Sequence, residues 1–215
     1  MEMTPQRWEY TSRYSQEVFG AQDDHLAGLM TEAVAEGLPP IAVSADVGRL
    51  LKILTSMTSG RLAIEIGTLG GYSGIWITRG LRSDGRLITI EYEPRHARFA
   101  RDQFERAGLG GQVEVRVGAA LDVLPSLLGE LEPGSVDVVF LDAVKGEYAQ
   151  YFEAVKPLVA VGGLVLADNV YATSEGWIDQ GHGTDAFNRL IASDPDFEAV
   201  AVPLREGVLI ALRIS

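Results

Sequence analysis

Four apolar runs in this chain end at an acidic residue or a glycine turn, and this pattern constrains the fold more than any other feature. The runs and the residues that follow them are 62–66 with Gly67, 87–90 with Glu91, 138–141 with Asp142, and 164–167 with Asp168 and Asn169. The carboxyl ends of parallel strands form one edge of an open α/β sheet, and ligands bind at that edge. The sequence therefore predicts that oxygen-bearing side chains converge there beside a pocket.

From residue 62 onward, apolar runs alternate with segments of helical periodicity. Strands are predicted at 62–66, 87–91, 113–117, 136–141 and 163–167, and helices at 73–82, 94–107, 120–129 and 147–159. Such alternation is typical of right-handed βαβ crossovers. The runs 197–203 and 208–214 have hairpin spacing, so the final strand is expected to be antiparallel. The predicted fold is a Rossmann-like, doubly wound α/β sheet, mostly parallel, with helices on both faces.

The first 58 residues are predicted to be helical. Within residues 5–36 a break is predicted at Phe19-Gly20, and the segment ends at Gly37-Leu38-Pro39-Pro40 because proline removes a hydrogen-bond donor. A second helix is expected over 44–58, where apolar residues recur at helical spacing. With 215 residues and 47% hydrophobic composition, the chain is expected to form a single domain, 1–215.

The composition limits the compartment and the partners. The net charge is −12, so the chain lacks the general positive field that binds a phosphate backbone, and this disfavours a nucleic-acid partner. The arginines of the segment 95–106 have the spacing of a solvated helix face. The absence of cysteine fits a reducing compartment, and neither a membrane-length apolar run nor a signal-type N-terminus is found. We expect a cytoplasmic protein without a membrane partner.

A glycine-containing turn joins the first predicted strand to the next helix. Its glycines stand at 67, 70 and 71, so the Gly-x-Gly-x-x-Gly dinucleotide fingerprint is absent. Glu65 precedes the turn, where a carboxylate would repel a pyrophosphate but would suit a sulfonium or an α-amino group. Glu91, 24 residues beyond Gly67, is placed to bind a ribose diol. Together these residues predict a nucleoside-binding site.

The ordered motifs resemble those of class I S-adenosylmethionine-dependent methyltransferases, and within them the cation-dependent O-methyltransferases that include the catechol and caffeoyl-CoA enzymes. The resemblance covers residues 40–215. It is carried by Val43-Ser44-Ala45-Asp46-x-Gly48, Glu65-Ile66-Gly67-Thr68, Gly71-Tyr72-Ser73, Glu91, Asp142-Ala143-x-Lys145-x-x-Tyr148, Gly162-Gly163 and Asp168-Asn169-Val170.

The resemblance implies a role for each matching residue. Around the methionine part of S-adenosylmethionine it places Val43, Glu65, Gly67, Thr68 and Ser73. On the nucleoside part it places Glu91 at the ribose, Tyr92 beside the adenine, and Ala119 and Ala120 along the adenine pocket. Asp142 is expected to contact both cofactor and metal. Residues 1–58 are expected to cover the acceptor and cofactor site, and a homodimer is expected because the family is commonly dimeric.

Two positions depart from the family pattern. Many bacterial members have Asp-Ala-Asp-Lys where this chain has Asp142-Ala143-Val144-Lys145, so a second cofactor contact is missing. Many also have Gly-Asp-Ala where this chain has Gly118-Ala119-Ala120. The second change removes a polar contact on the adenine side, which lowers cofactor affinity unless another group compensates.

Asp142, Asp168 and Asn169 offer two carboxylates and one amide oxygen. Such hard ligands favour Mg²⁺, with Mn²⁺ or Ca²⁺ as substitutes, and leave positions open for two adjacent substrate oxygens. A vicinal diol on an aromatic ring, as in a catechol or related phenol, fits that geometry. Lys145 lies three residues beyond Asp142, where a divalent cation would destabilise its ammonium form and favour a general-base role.

The predicted function is therefore metal-dependent O-methylation of a catechol-like small molecule. A methyltransferase of the same fold acting on the wobble uridine hydroxyl of tRNA stays open as an alternative, although the net charge of −12 disfavours it. A hydride-transfer enzyme is disfavoured by the missing dinucleotide fingerprint. A non-catalytic cofactor-binding protein is the remaining alternative, and it would not need the metal ligands and Lys145 together.

Overall fold

A computed structural model describes residues 4–173, 176–177 and 183–215 of the chain. The helices are α1 Pro5–Phe19, α2 Asp24–Ala35, α3 Ala45–Ser56, α4 Tyr72–Thr78, α5 Pro94–Arg106, α6 Ala120–Glu130, α7 Tyr148–Val155 and α8 Asp185–Ser193. The strands are β1 Leu62–Ile66, β2 Arg86–Glu91, β3 Val113–Val117, β4 Val136–Leu141, β5 Val159–Asp168, β6 Ala172–Thr173, β7 Gly176–Trp177, β8 Phe197–Val202 and β9 Val208–Arg213. Short 3₁₀ turns occupy Gly110–Gln112, Lys145–Glu147 and Lys156–Leu158.

The main sheet has the strand order β3-β2-β1-β4-β5-β9-β8. Strands β1 to β5 are mutually parallel, and β9 runs antiparallel to both of its neighbours, β5 and β8. The predicted fold class is confirmed, including the antiparallel last strand, which is inserted between β5 and β8. The strand order reverses between β1 and β4, which is where open α/β sheets bind their ligands.

The core has two layers because successive residues of a strand point to opposite faces of the sheet. On one face, Ile64 and Ile66 of β1 join a buried cluster with residues of α6, α7 and α8. On the other face, Ala63 of the same strand joins a cluster with residues of α2, α3, α4 and α5. Strands buried on both faces appear as continuous apolar runs in the sequence, which is why β1, β2 and β4 are predicted accurately.

The structure differs from the predicted elements at several boundaries. Strand β5 begins at Val159 rather than at 163, with Gly162 at φ +84° inside it and a register shift against β4 nearby. Glycines at 162 and 163 interrupt the apolar pattern, and this hides the first part of the strand. Helix α8 and the antiparallel pair β6 and β7 are absent from the sequence prediction because these elements span only nine, two and two residues, which is too short for a clear periodic pattern.

The break predicted in the N-terminal helical segment lies at Gly20, which separates α1 from α2. Helix α2 begins after Asp23, whose side chain accepts a hydrogen bond from the Leu26 backbone N–H at 3.0 Å and so caps the helix. Among the described residues, no helix combines the length and the apolar character needed to cross a membrane.

Gly67 allows the ends of β1 and β4 to approach closely. Its φ is +101°, and a Cβ atom there would collide with the carbonyl oxygen of Asp142. The backbone N–H of Gly67 donates to Ile90 at 3.0 Å, and the N–H of Asp142 donates to Ile66 at 2.9 Å. Gly67 therefore allows the ends of β1, β2 and β4 to pack closely together.

We expect Gly67→Ala to lower the free energy of unfolding by about 3 kcal/mol, because left-handed strain and a backbone clash act together. Gly134→Ala is the matched control, since Gly134 has φ +68° and no atom within 4 Å of a built Cβ. The control should lose only about 1 kcal/mol through strain. Urea unfolding of both variants measures the difference, and equal losses would show that the strand ends relax without cost.

Candidate active site

A cavity of about 540 Å³ opens at the carboxyl edge of the sheet. Of the thirteen residues predicted to form the site, the eleven that line the cavity are Val43, Gly67, Thr68, Ser73, Glu91, Tyr92, Ala119, Ala120, Asp142, Lys145 and Asn169. Glu65 and Asp168 lie behind this lining and are buried. The topology thus gathers residues that are up to 126 positions apart in the sequence (Val43 to Asn169) around one space.

Glu65 is a fully buried carboxylate beneath the glycine turn. It accepts hydrogen bonds from the hydroxyls of Ser73 and Thr89, each at 2.6 Å. The Thr89 hydroxyl is also hydrogen-bonded to that of Thr68 at 2.5 Å. Burial raises the pKa of Glu65 to about 7, against the smaller opposing effect of the two hydroxyls. Glu65 thus ties β1 to β2 and α4.

Glu91 holds the glycine turn through backbone groups. One carboxylate oxygen accepts from the N–H groups of Thr68 at 3.2 Å and Leu69 at 2.7 Å. The other accepts from the Glu93 N–H at 2.9 Å and lies 3.5 Å from Nδ1 of His96. These contacts fix the carboxylate at the tip of β2, and it keeps lone pairs for the hydroxyls of a ligand.

Lys145 is held by three acceptors at the end of β4. Its Nζ donates to Oδ1 of Asp142 and to the hydroxyl of Tyr148, both at 2.7 Å, and to the carbonyl oxygen of Asp168 at 3.4 Å. The Tyr148 hydroxyl in turn donates to the carbonyl oxygen of Leu141 at 2.9 Å. Tyr148 is buried, so this network positions Nζ at the wall of the cavity.

Asp168 and Asn169 lie at the end of β5 beside this network. Oδ1 of Asp168 is buried and has no hydrogen-bond partner within the described residues, so it is an acceptor without a donor. Burial, and then the neighbouring Asp142, raise the pKa of Asp168. Asn169 has φ +58°, and its Nδ2 donates to Oε2 of Glu206 at 3.4 Å.

A divalent cation fits this arrangement. It would satisfy the orphaned oxygen of Asp168 and offset the repulsion between Asp168 and Asp142. Within the described chain, no group of three His, Cys, Asp or Glu side chains gathers as a metal site. The set predicted from the sequence has two carboxylates and an amide, so it needs water and substrate oxygens to complete a coordination shell.

The remaining cavity wall comes from two regions. Pro39, Ile41 and Ala42 of the segment between α2 and α3 form an apolar wall next to Val43. Arg205, in the β8–β9 turn, reaches the Ala42 carbonyl oxygen at 3.4 Å. The glycine-rich segment 176–183, which follows the candidate metal ligands in the sequence, lies largely outside the described residues.

Several groups at the site are missing from the sequence prediction. They are the Leu69 N–H on Glu91, His96 beside Glu91, Glu206 on Asn169, and the pair formed by Glu147 and Tyr151. The Leu69 donor belongs to the backbone, and Glu206 is 37 residues from Asn169. Contacts of this kind cannot be predicted from the residue type at a single position of the sequence.

Comparison with known proteins gives the family. A family model described as O-methyltransferase matches residues 15–214. The chain belongs to this O-methyltransferase family. A protein of Niastella koreensis named catechol O-methyltransferase is 40% identical over 168 residues, which cover 78% of this chain and 76% of the relative.

Solved structures agree with this membership. An O-methyltransferase from Bacillus cereus in complex with SAH has a TM-score of 0.87 and 36% identity, covering 97% of this chain and 99% of its own. TomG, an O-methyltransferase from Streptomyces achromogenes in complex with SAM, has a TM-score of 0.84 and 34% identity over the full length of both chains. The predicted family and enzyme class are confirmed.

The buried Glu65 of this O-methyltransferase makes stability depend on pH. Its pKa of about 7 in the fold exceeds the ordinary value of 4.5, so the folded chain holds this proton more tightly than the unfolded chain. The contribution of protonated Glu65 to the free energy of unfolding is therefore fully present below pH 4.5 and is lost as the pH rises through 7.

Glu65→Gln removes this titration, so we expect the variant to gain about 3 kcal/mol relative to the wild type between pH 4.5 and 7. Urea unfolding at both ends of this range measures the gain. Glu153→Gln, at an exposed position on α7, is the charge-matched control and should gain nothing. A difference between Glu65→Gln and wild type that is independent of pH would show that folding leaves the pKa of Glu65 at its ordinary value.

Proposed function

We propose that this chain is an S-adenosylmethionine-dependent and divalent-metal-dependent O-methyltransferase that acts on a vicinal hydroxyl of a catechol-like small molecule. The observation that carries the proposal is the convergence of Glu91, Lys145 and Asn169 on one cavity, with Asp168 directly behind it. A ribose-binding carboxylate, a candidate base and candidate metal ligands then surround the same space. We further propose that it acts in the cytoplasm.

The proposed cofactor site uses the residues of the glycine turn and the tip of β2. The solved relatives in complex with SAM and SAH support this cofactor. Glu91 would accept hydrogen bonds from the ribose hydroxyls. Ser73 and Thr68, held by their hydrogen-bond network to Glu65, would contact the methionine end, where the buried carboxylate favours a positive charge. The first 58 residues, through Val43 and its neighbours, would cover the cofactor and acceptor.

The proposed metal site consists of Asp142, Asp168 and Asn169, with Mg²⁺ preferred and Mn²⁺ or Ca²⁺ as substitutes. When bound, the cofactor supplies the methyl group, and the metal lowers the pKa of a coordinated hydroxyl. Lys145 would accept the hydroxyl proton at Nζ once its own ammonium has released a proton. Tyr148 and Asp142 hold Nζ in place, which keeps the base within reach of the acceptor.

The proposed acceptor is small, aromatic and apolar on one side. The wall formed by Pro39, Ile41 and Ala42 suits an aromatic ring better than a charged group. The relative named catechol O-methyltransferase supports the same substrate class. The net charge of −12 works against a nucleic-acid acceptor.

We also propose a homodimer. Helix α1 carries the exposed apolar residues Trp8, Tyr10, Tyr14, Val18 and Phe19, and its own residues are nowhere buried within the described chain. The rings of Tyr10 and Tyr14 stack with centroids 6.2 Å apart. Exposed aromatic residues of this kind are typical of interfaces between subunits.

Light scattering at micromolar concentration is expected to give twice the chain mass of 23.2 kDa. Tyr14→Glu should shift the protein towards the monomer, because a charge would be buried in the interface. Val200→Glu, which changes an exposed apolar residue on β8, should leave the mass unchanged. A monomeric wild type would refute the dimer and leave the catalytic proposal intact.

Methyl transfer from labelled S-adenosylmethionine to a panel of catechols tests the function. We expect turnover that EDTA abolishes and added Mg²⁺ restores, because the substrate oxygens bind through the metal. Asp168→Asn should weaken the binding of Mn²⁺ at least about 10-fold, because even the loss of a group that only supports a metal ligand can weaken binding by that factor. Electron paramagnetic resonance of Mn²⁺ measures the binding. Asp84→Asn, a distant exposed change, is the control.

Turnover that EDTA does not affect would refute the metal site and keep the enzyme class. Cofactor binding without turnover on any catechol would refute the substrate class. In that case, transfer of label to tRNA would identify the nucleic-acid alternative, and its absence would favour a non-catalytic cofactor-binding protein.

A further inference from the structure

A carboxylate paired with a tyrosine lines the cavity on a side that the proposed mechanism does not use. The Tyr151 hydroxyl donates to Oε2 of Glu147 at 2.5 Å, and both residues face the cavity. Tyr151 is only 2% exposed, so its ring is fixed within the core and its hydroxyl has a defined position. Burial, and then Glu147, raise the pKa of Tyr151, so the hydroxyl stays a neutral donor.

The pair lies on the side of the cavity that α7 and its neighbour α6 form. Helix α6 begins at Ala120, and α7, which carries Tyr151, packs against α6. Ala120 and Tyr151 belong to the same buried cluster on this face of the sheet. By contrast, Val43 and the glycine turn belong to the other side of the cavity, next to α3 and α4. The packing of α7 on α6 therefore puts Glu147 on the same side of the cavity as Ala119 and Ala120, where the base of a bound nucleoside is expected.

Among the described residues, Glu147 has a carboxylate oxygen without a hydrogen-bond partner at this side of the cavity. Glu91 accepts backbone hydrogen bonds on both of its oxygens, and Asp142 is bound to Lys145. Within the described residues, the hydrogen bond of Glu147 is the one from Tyr151 to Oε2, which leaves Oε1 unpaired. The segment Gly118-Ala119-Ala120 offers no polar side chain to a base.

The base of the proposed cofactor provides the matching donor. Adenine presents an exocyclic N6 amine, whereas a 6-oxo purine presents a carbonyl oxygen at the same place. A carboxylate oxygen accepts from the amine and repels the carbonyl oxygen. Since Tyr151 orients the carboxylate in advance, little ordering is needed on binding.

We propose that Glu147, oriented by Tyr151, accepts a hydrogen bond from the N6 amine of the cofactor and makes this protein selective for adenine over 6-oxo purine nucleosides. The inference rests on the proposed function, because it assumes an adenosine cofactor. It assigns Glu147 as a specificity-determining residue and Tyr151 as a positioning residue that acts through Glu147. The contact supplies the polar recognition that Ala119 and Ala120 do not provide.

Isothermal titration with S-adenosylhomocysteine and with its hypoxanthine analogue, S-inosylhomocysteine, tests the inference. The measured quantity is the ratio of the two Kd values. The wild type should bind the adenine ligand at least about 10-fold more tightly, as expected for a hydrogen bond to a charged group. Glu147→Gln should bring the ratio close to 1, because an amide presents either an oxygen or an N–H to the base.

Two further variants separate recognition from structure. Tyr151→Phe should give an intermediate ratio, since the carboxylate remains but loses its orientation. Glu153→Gln, on an exposed position of the same helix, should keep the wild-type ratio. A purely structural role for Glu147 would weaken both ligands equally, so that the ratio would not move in Glu147→Gln.

A wild-type ratio that persists in Glu147→Gln would overturn the assignment of Glu147 while leaving the cofactor proposal standing. If the wild type binds neither ligand, the cofactor proposal and this inference both fall. Affinity of Glu147→Gln for the hypoxanthine ligand equal to or better than that of the wild type would support the inference and show that the variant is folded.

Discussion

The site depends on a set of backbone hydrogen bonds that align the strand ends at the carboxyl edge of the sheet. The N–H of Gly118 donates to Glu91, that of Gly67 to Ile90, and that of Asp142 to Ile66, at 2.9 to 3.0 Å. Each donor follows its own strand and binds the end of the neighbouring strand. The turns after β3, β1 and β4 are thereby held side by side. These backbone hydrogen bonds therefore fix the positions of the candidate site residues on the turns.

Alignment of the strand ends brings several carboxylates close together, which is electrostatically unfavourable. The protein compensates differently for each of them. Glu91 accepts hydrogen bonds from backbone N–H groups, Asp142 accepts one from Nζ of Lys145, and Glu65 accepts two from hydroxyl groups. Asp168 keeps one buried oxygen without a hydrogen-bond partner in the part of the chain that the structure describes. Unpaired buried acceptors are costly in a structural core, and they are common where a ligand or ion completes the site.

Much of the site was predictable from local patterns. Strands buried on both faces give continuous apolar runs, and the residue after each run must lie at the carboxyl edge. This reasoning predicts the neighbourhood of Gly67, Glu91, Asp142 and Asn169 without coordinates. It works less well for β5, where glycines 162 and 163 interrupt the run, and it misses α8, where the periodic signal is short.

The sequence alone determined the fold class, the family, and which residue types stand at the ends of the parallel strands, because these depend on periodicity and on short motifs. The tertiary structure decided how those residues pair. Only folding brings Glu206 to Asn169, buries Glu65 until its pKa reaches about 7, and places Glu147, bonded to Tyr151, at the wall of the cavity. Such contacts join elements distant in sequence, and hydrogen bonding and desolvation depend on distance in space.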